Sequence, residues 1–221
     1  MKQRLFLTVV FGIALSAMCP ADILYNVSLN TAPLIGNPNA PFALDFQLTS
    51  GNTTSGIVNS ATLSQFSFGT GGHPGNGSPF ADSGNASGNL SSTVALNTFG
   101  GTFFSEFSQF FTPGTLLSFQ VDLTNNPQTG GTPDEFSFEL IDKSGGEISS
   151  TDPSGGNSLV IIDLIGSTPQ PQTYTTNGDG VSITPQLTSP SSSVPEAGTG
   201  WLFAIPLTLL VAFRCTLAPP K

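Results

Sequence analysis

The chain has 221 residues, of which only 9% are charged, and its 14 acidic residues outnumber five basic ones. This balance excludes nucleic acid as a natural partner, because no cationic patch can displace counterions from phosphates. The two cysteines, Cys19 and Cys215, lie near the ends, so no disulfide can staple the central region, residues 22–188. That region is nevertheless long enough for a self-supporting core in one domain.

Residues 1–21 have the composition of a secretory signal peptide. Two basic residues precede an uncharged apolar run at 5–17, and Cys19-Pro20-Ala21 supplies small residues before a cleavage site. We predict cleavage by signal peptidase after Ala21. Lipidation of Cys19 is the alternative, and its neighbours Met18 and Pro20 argue against it. A permanent anchor is not expected, because the run is short for a membrane span.

The predicted exported part carries a strongly acidic charge. All 14 acidic residues lie between Asp22 and Glu196, where Lys143 is the single basic residue, so the net charge of this part is −13. An anionic membrane surface is therefore a disfavoured partner. Such acidity is typical of a soluble domain outside the cell, and the alternative is cation binding.

Alternating apolar and polar residues predict strands along this part. Residues 42–48, 117–123 and 136–140 each place apolar side chains on one face, as in a strand with one buried face. Beside the last of these, Glu135 and Glu139 are expected to point outward. Further predicted strands are 23–29, 61–68, 93–96, 159–165 and 181–187.

Two of these strands have special features. Leu63 and Phe66 cannot share a face without an extra residue, so a bulge is predicted near Ser64-Gln65. Residues 159–162 are apolar on both faces, which predicts a strand that is central or covered by another element.

The phenylalanine-rich segment 103–111 has a different spacing. Phe104, Phe107, Phe110 and Phe111 recur at helical spacing, which predicts a short helix or an irregular strand closing one end of the core. The functional alternative is an aromatic platform for sugars, although buried core is the expected role of so many phenylalanines.

Segments rich in Gly, Asn, Ser and Pro separate the predicted strands, the longest at 69–88. Eight or nine short strands with this spacing predict an all-β fold, an antiparallel β-sandwich of jelly-roll type. The predicted organisation is a signal peptide at 1–21, the sandwich at 22–188 and a Ser/Pro linker with a short motif at 189–196.

The C-terminal region has the features of a membrane span. Residues 197–217 contain one charge, Arg214, and a helix of this length would cover roughly 31 Å, enough for a hydrocarbon core of about 30 Å. Trp201 is expected at the outer interface and Arg214 on the cytoplasmic side, with 218–221 as a cytoplasmic tail. A buried helix is the alternative, and the linker that separates this run from the sandwich argues against it.

Val194-Pro195-Glu196, followed by the apolar span and by Arg214, resembles the PEP-CTERM sorting signal of exported bacterial proteins. Ala197 stands where that family usually repeats proline, and the terminal basic cluster is thin. The resemblance implies transient anchoring in the inner membrane, recognition of the three motif residues by an exosortase, and transfer or release at the cell surface. Segments 41–42, 113–114 and 131–138 also resemble a recurring, uncharacterised type of PEP-CTERM protein.

Catalytic constellations are not recognisable in the sequence. His73 is the single histidine and is expected in a loop; no Gly-x-Ser-x-Gly elbow accompanies it, which argues against a serine hydrolase. Zinc is unsupported, with one histidine and no cysteine in the domain. A carboxylate pair for glycoside cleavage could be drawn from Glu106, Glu135, Glu139 and Asp163, although among 14 acidic residues some pair is always close.

Calcium is the best supported of the cations, because several aspartates lie in or beside loops rich in oxygen donors. These aspartates are Asp45, Asp122, Asp134, Asp142, Asp152 and Asp179. Their spacing matches no known calcium loop, so no metal site and no cofactor are assigned.

The sequence thus predicts an exported, non-enzymatic surface or extracellular-matrix protein of a biofilm-forming Gram-negative bacterium. Its expected partners are signal peptidase, an exosortase and the inner membrane. The alternative is a sandwich that binds exopolysaccharide, although sugar platforms favour Trp and Tyr, and the domain has only Tyr25 and Tyr174.

Overall fold

The computed structural model describes residues 21–51, 58–76, 81–126, 131–165 and 169–189. The predicted signal peptide up to Pro20, the motif Val194-Pro195-Glu196 and the predicted span with Trp201 and Arg214 lie outside the described residues. Among the residues that are described, no helix is long and apolar enough to cross a membrane.

The described residues form strands joined by turns, with two short 3₁₀ helices at Ala32–Leu34 and Phe99–Gly101. The strands are β1 (Ala21–Leu29), β2 (Phe42–Thr49), β3 (Ser60–Ser67), β4 (His73–Pro74), β5 (Ala81–Ser83), β6 (Ser87–Gly88), β7 (Val94–Asn97), β8 (Phe104–Thr112), β9 (Leu117–Asn125), β10 (Glu135–Ile141), β11 (Val160–Asp163), β12 (Gln172–Thr173) and β13 (Gln186–Thr188). The predicted all-β class is confirmed.

The strands form two antiparallel sheets. Sheet A has the order β13-β1-β9-β3-β7-β6, and sheet B has the order β12-β11-β10-β2-β8-β4, with β5 also paired to β8. Several neighbours are distant in the chain; β1, for example, pairs along its whole length with β9. The longest ladders therefore join strands that are distant in the chain, whereas consecutive strands pair only in β6–β7, β10–β11 and β11–β12 among the described residues.

An aromatic cluster joins the sheets. The ring of Phe46 in β2 of sheet B lies 5.3 Å from that of Phe119 in β9 of sheet A, and 5.2 Å from that of Phe138 in β10. Phe66 of β3 packs 6.1 Å from Phe46. These rings belong to one continuous apolar core lined by both sheets. The arrangement is that of a β-sandwich.

The predicted bulge is confirmed in β3. The register of β3 against β9 shifts between Ser64 and Ser67, and Gln65 there has a φ of 54°. The extra residue at the bulge lets Leu63 and Phe66 face the same side of the sheet. Leu63 belongs to the core, and Phe66 packs against the core.

Of the two forms predicted for 103–111, a short helix or an irregular strand, the structure shows a strand, and the helical alternative is wrong. This segment is the regular strand β8, which lies inside sheet B between β2 and the short strands β4 and β5 and so does not close an end of the core. Phe107 and Phe111 enter the core, whereas Phe104 and Phe110 lie on the opposite face and are half-buried.

Strand lengths near the C-terminal side of the domain also differ from prediction. Of 181–187 only the end is strand, in β13, although Val181 and Ile183 are buried. The two-sided apolar strand at 159–165 is the shorter β11, which lies next to the edge strand β12 and not at the centre. Its outer residue Ile161 is nevertheless only 8% exposed, as expected for a covered strand.

Candidate functional site

The face of sheet B that points away from the sandwich core carries a row of polar side chains. Glu139 of β10 lies opposite Asp45 of β2, which in turn lies opposite Ser108 of β8. Asp45 is 1% and Glu139 3% exposed. Glu139 thus points away from the sandwich core, as predicted, but it is covered rather than exposed to solvent.

The chain after β10 explains this burial, because it folds back over the outer face. The backbone N–H of Ile148 donates to Leu140 O at 2.8 Å, and Ile141 forms a bridge with Glu147. Further along, the hydroxyl of Ser158 donates to Glu139 Oε1 at 3.1 Å. Side chains on this face are thus covered by a segment that lies far from β2 in sequence.

All four oxygens of the Asp45–Glu139 pair accept hydrogen bonds. Gln47 Nε2 donates to Asp45 Oδ2 at 2.7 Å and to Glu139 Oε2 at 3.3 Å. Ser108 Oγ donates to Asp45 Oδ1, and Ser158 donates to the remaining oxygen of Glu139. Buried polar groups are tolerated when they are satisfied in this way.

Burial also changes the protonation of the pair. It raises the pKa of Glu139 to about 8, with the charges of Glu147 and Asp45 adding to the effect, and it raises the pKa of Asp45 to about 6. Removing a carboxylate from water disfavours its charged form, and a neighbouring carboxylate acts in the same direction. Glu139 therefore holds its proton at neutral pH.

The geometry of Glu139 does not suit glycoside cleavage. A catalytic carboxyl must reach a bound substrate, whereas Asp45 and Glu139 are covered and fully engaged with protein donors. The pair is a satisfied polar network within the domain. Glu106 lies in the adjacent row, opposite Gln47, and is half-buried.

The structure does not bring the predicted calcium ligands together. Asp134 is buried and accepts hydrogen bonds from Gly51 N at 3.0 Å and from Asn59 Nδ2 at 2.9 Å. Asp142 and Asp152 each accept the backbone N–H two residues later at 2.8 Å, which closes their own turns.

Two further predicted ligands, Asp179 and Asp122, are equally separate. Asp179 Oδ1 accepts a hydrogen bond from Asn39 Nδ2 at 2.8 Å, and Asp122 is exposed on β9. No group of three or more His, Cys, Asp or Glu side chains in the described part of the chain could hold a metal ion.

His73 lies on the short strand β4 rather than in a loop. It pairs with Thr112 of β8, its side chain is exposed, and its Nδ1 lies 2.9 Å from Pro74 O. The contact is local and places no acidic or nucleophilic side chain on the imidazole.

A more open site lies at the end of the sandwich where β2 and β11 end and β10 begins. A cleft of about 420 Å³ is lined there by Thr49, Ser50, Gly51, Phe103, Thr132, Pro133, Glu135 and Asp163. We call it the Phe103 cleft. Phe103 is 58% exposed, and Glu135 lies opposite Asp163 in the ladder between β10 and β11.

The electrostatics of the Phe103 cleft are negative. Partial burial, followed by the charges of Asp163 and Asp152, raises the pKa of Glu135. Lys143, the one basic residue between Asp22 and Glu196, donates from Nζ to Pro38 O at 2.6 Å and so is engaged elsewhere. Glu135 and Asp163 are like charges placed opposite each other in a ladder, an arrangement that costs stability. Because no basic side chain of the domain neutralises them, their oxygens remain hydrogen-bond acceptors at the cleft.

Sequence reasoning named Glu135 and Asp163 but missed their pairing, because it depends on the register of β10 against β11. It also missed the partnership of Asp45 with Glu139. A prediction of which strands pair, and in what register, would have found both carboxylate pairs, because all four residues lie in strands that the sequence pattern predicts.

Comparison with known proteins gives no relative. No family model, no curated protein and no solved structure matches this chain. Its function has to be argued from its residues and their geometry.

Proposed function

We propose that the protein is an exported, non-enzymatic component of the cell surface or extracellular matrix, sorted by an exosortase through its C-terminal signal. One observation carries the proposal: the strands of the sandwich end at Thr188, and Val194-Pro195-Glu196 follows shortly after in a Ser-rich linker. In the sequence, the motif therefore follows the last strand of the sandwich, which is the position that a C-terminal sorting signal requires.

Other features support the same organisation. The first strand begins at Ala21, the residue after which signal peptidase is proposed to cleave. The signal peptide, the membrane helix at 197–217 and the jelly-roll-like arrangement of the sandwich are parts of this proposal. In it, the span anchors the protein transiently in the inner membrane, with Trp201 at the outer interface and Arg214 on the cytoplasmic side.

The motif has a physical rationale. Pro195 lacks a backbone N–H and biases Val194 towards an extended conformation, so the segment neither continues a helix nor joins a sheet. An extended segment at the membrane surface is what a membrane-bound protease can grip. Glu196 then supplies the one negative charge between the linker and the span.

The test is the joint substitution Pro195→Ala and Glu196→Ala in the full chain, expressed in a host that carries an exosortase. We expect the wild-type protein to change in size and to reach the surface or medium, and the double variant to remain unprocessed in the inner membrane. Pro190→Ala, in the same linker, is the control and should behave as wild type. Processing of the double variant at the wild-type rate would refute the role of the motif.

A second candidate function is binding of exopolysaccharide by the sandwich. The observation in its favour is that Phe99 and Phe103, at 55% and 58% exposure, lie on the connection between β7 and β8. Each lines a separate cleft. Exposed aromatic faces close to polar groups are suited to contact with sugar rings.

A further inference from the structure

We infer that the Phe103 cleft is a binding site for a neutral polysaccharide segment. The inference rests on the second candidate function and deepens it, because it names the site and the charge class of the ligand. It uses three properties of the cleft: an exposed aromatic side chain, a pair of carboxylates that no basic side chain of the domain neutralises, and a wall fixed by hydrogen bonds.

The first property is the position of Phe103. Its side chain is more than half exposed although 18 phenylalanines are available to the chain and most of the described ones are buried or half-buried. Ligand sites are typically concave and combine aromatic side chains with a few placed polar groups, as this cleft does. The C–H face of a pyranose ring can pack on such a side chain.

The second property is the chemistry of the acceptors. Glu135 and Asp163 lie opposite each other at the cleft, and no basic side chain of the domain neutralises them. Carboxylates accept strong hydrogen bonds from hydroxyl donors. Neighbouring hydroxyls of a sugar can satisfy both groups, whereas a uronic acid would place a third negative charge beside them.

The third property is the rigidity of the opposite wall. Phe103 O accepts a hydrogen bond from Ser50 N at 2.7 Å, so the aromatic residue is tied to the end of β2. Gly51 N is held in turn by the buried carboxylate of Asp134 at 3.0 Å. A Cβ at Gly51 would overlap the carbonyl oxygen of Thr132, so the backbones of these two lining segments are in close contact. A wall fixed in advance loses little entropy on binding.

The volume of the cleft agrees with a short glycan. At about 420 Å³ it falls within the range of small-molecule sites, roughly 300–1,000 Å³. The cleft is therefore large enough for one or two sugar rings of a longer chain.

The test is calorimetric titration of the full chain, purified in a detergent without a sugar headgroup. The probes are cellohexaose, xylohexaose, mannohexaose and laminarihexaose as neutral glycans, and hexagalacturonate as the acidic one. We expect saturable binding of at least one neutral hexasaccharide and at least tenfold weaker binding of hexagalacturonate.

Variants then locate the site. Phe103→Ala should weaken binding at least tenfold, and Glu135→Gln or Asp163→Asn at least threefold. Phe99→Ala, which removes the other exposed phenylalanine of the same connection, should bind as wild type. Equal melting temperatures of the two phenylalanine variants would confirm that any difference lies in binding and not in folding.

Several results would overturn the inference. Failure of all four neutral hexasaccharides to bind would remove both the site and the second candidate function, while leaving exosortase sorting untouched. Binding that survives Phe103→Ala would keep the second candidate function but place the site elsewhere. Heat from Ca²⁺ alone that disappears in Glu135→Gln, without glycan binding, would make the cleft a cation site instead.

Discussion

Two buried carboxyl groups on the outer face of sheet B couple the domain to pH. Glu139 and Asp45 lie side by side under the segment that follows β10, and burial raises both pKa values, to about 8 and about 6. In the unfolded chain the same groups titrate near their ordinary values of 4.5 and 3.8. Between the ordinary and the raised pKa of each group, the folded state therefore binds more protons than the unfolded state.

The sign of the effect follows from linkage. When the folded state binds more protons than the unfolded state, the free energy of unfolding falls as pH rises. Stability is thus expected to be highest near pH 4 to 5 and to decline as pH rises to about 8, where Glu139 loses its proton also in the folded state. For Glu139 the total loss is on the order of a few kcal/mol.

Glu139→Gln should remove most of this dependence. The amide has the shape of the protonated acid and stays neutral, so the free energy of unfolding at pH 8.5 should rise by about 1–3 kcal/mol. In this variant the remaining decline in the free energy of unfolding comes from Asp45 and should end near pH 6, the pKa of Asp45 in the folded state. Urea unfolding between pH 4.5 and 9 measures both effects.

Asp82→Asn, on the exposed strand β5, is the control for loss of one negative charge. It should change the free energy of unfolding at pH 8.5 by less than about 0.5 kcal/mol. A wild-type protein that is equally stable at pH 5 and pH 8.5 would contradict the assignment of a protonated Glu139.

Asp134 is a residue on which the end of the sandwich depends. It is fully buried, and its carboxylate accepts hydrogen bonds from Gly51 N and Asn59 Nδ2. Asp134→Ala would leave these donors buried without their acceptor, so we expect a loss of about 2–4 kcal/mol in urea unfolding. Asp142→Ala removes an aspartate from a surface turn and should cost less than about 1 kcal/mol, because water replaces the carboxylate. Equal losses in the two variants would argue against this role of Asp134.

At the scale of the element, a period of two in the sequence predicted the strands that have one face in the core. It succeeded for β2 and β9, and even the phase change in β3 correctly placed the bulge at Gln65. These strands alternate because one side packs between the sheets and the other meets solvent or polar cover.

The period-two pattern failed to predict strands whose side chains are buried or exposed because of contacts with other segments of the chain. In β8 the polar residues Ser105 and Gln109 occupy core-facing positions, where Gln109 accepts a hydrogen bond from Leu90 N and donates one to Gly75 O. The phenylalanines of this strand therefore do not alternate regularly with polar residues, and their spacing resembles that of a helix. The strands β4, β5, β6 and β12 have only two or three residues. They exist through pairing with a partner and leave no local pattern.

The aromatic cluster is the part of the core where rings from sheet A and sheet B contact one another. Phe46→Ala would remove a fully buried ring that packs against Phe66, Phe119 and Phe138. We expect a loss of about 3–5 kcal/mol in urea unfolding, from lost burial and from the cavity left behind. Phe103→Ala changes the same residue type at an exposed position and should stay within about 0.5 kcal/mol of wild type. A small effect of Phe46→Ala would mean that the sheets are held together elsewhere.

For the whole molecule, composition and the alternation of apolar with polar residues predicted the fold class but not the sites. The Phe103 cleft combines residues from four separate stretches, near 50, 103, 132 and 163, so no local motif announces it. The sorting signal is the opposite case, because its residues are contiguous and a resemblance can be recognised directly in the sequence. The strands between Ala21 and Thr188, with acidic residues throughout, form the part of the chain that we propose is exported.

The most direct test of this account is the location and N-terminus of the protein in its natural host or in a host with an exosortase. Cell fractions are separated, and the N-terminal residue and mass of the product are determined in each. The account predicts a product that begins at Asp22 and is found in the inner membrane on its way to the surface or the medium. Recovery of the complete chain, from Met1 to Lys221, as a soluble cytoplasmic protein would contradict it.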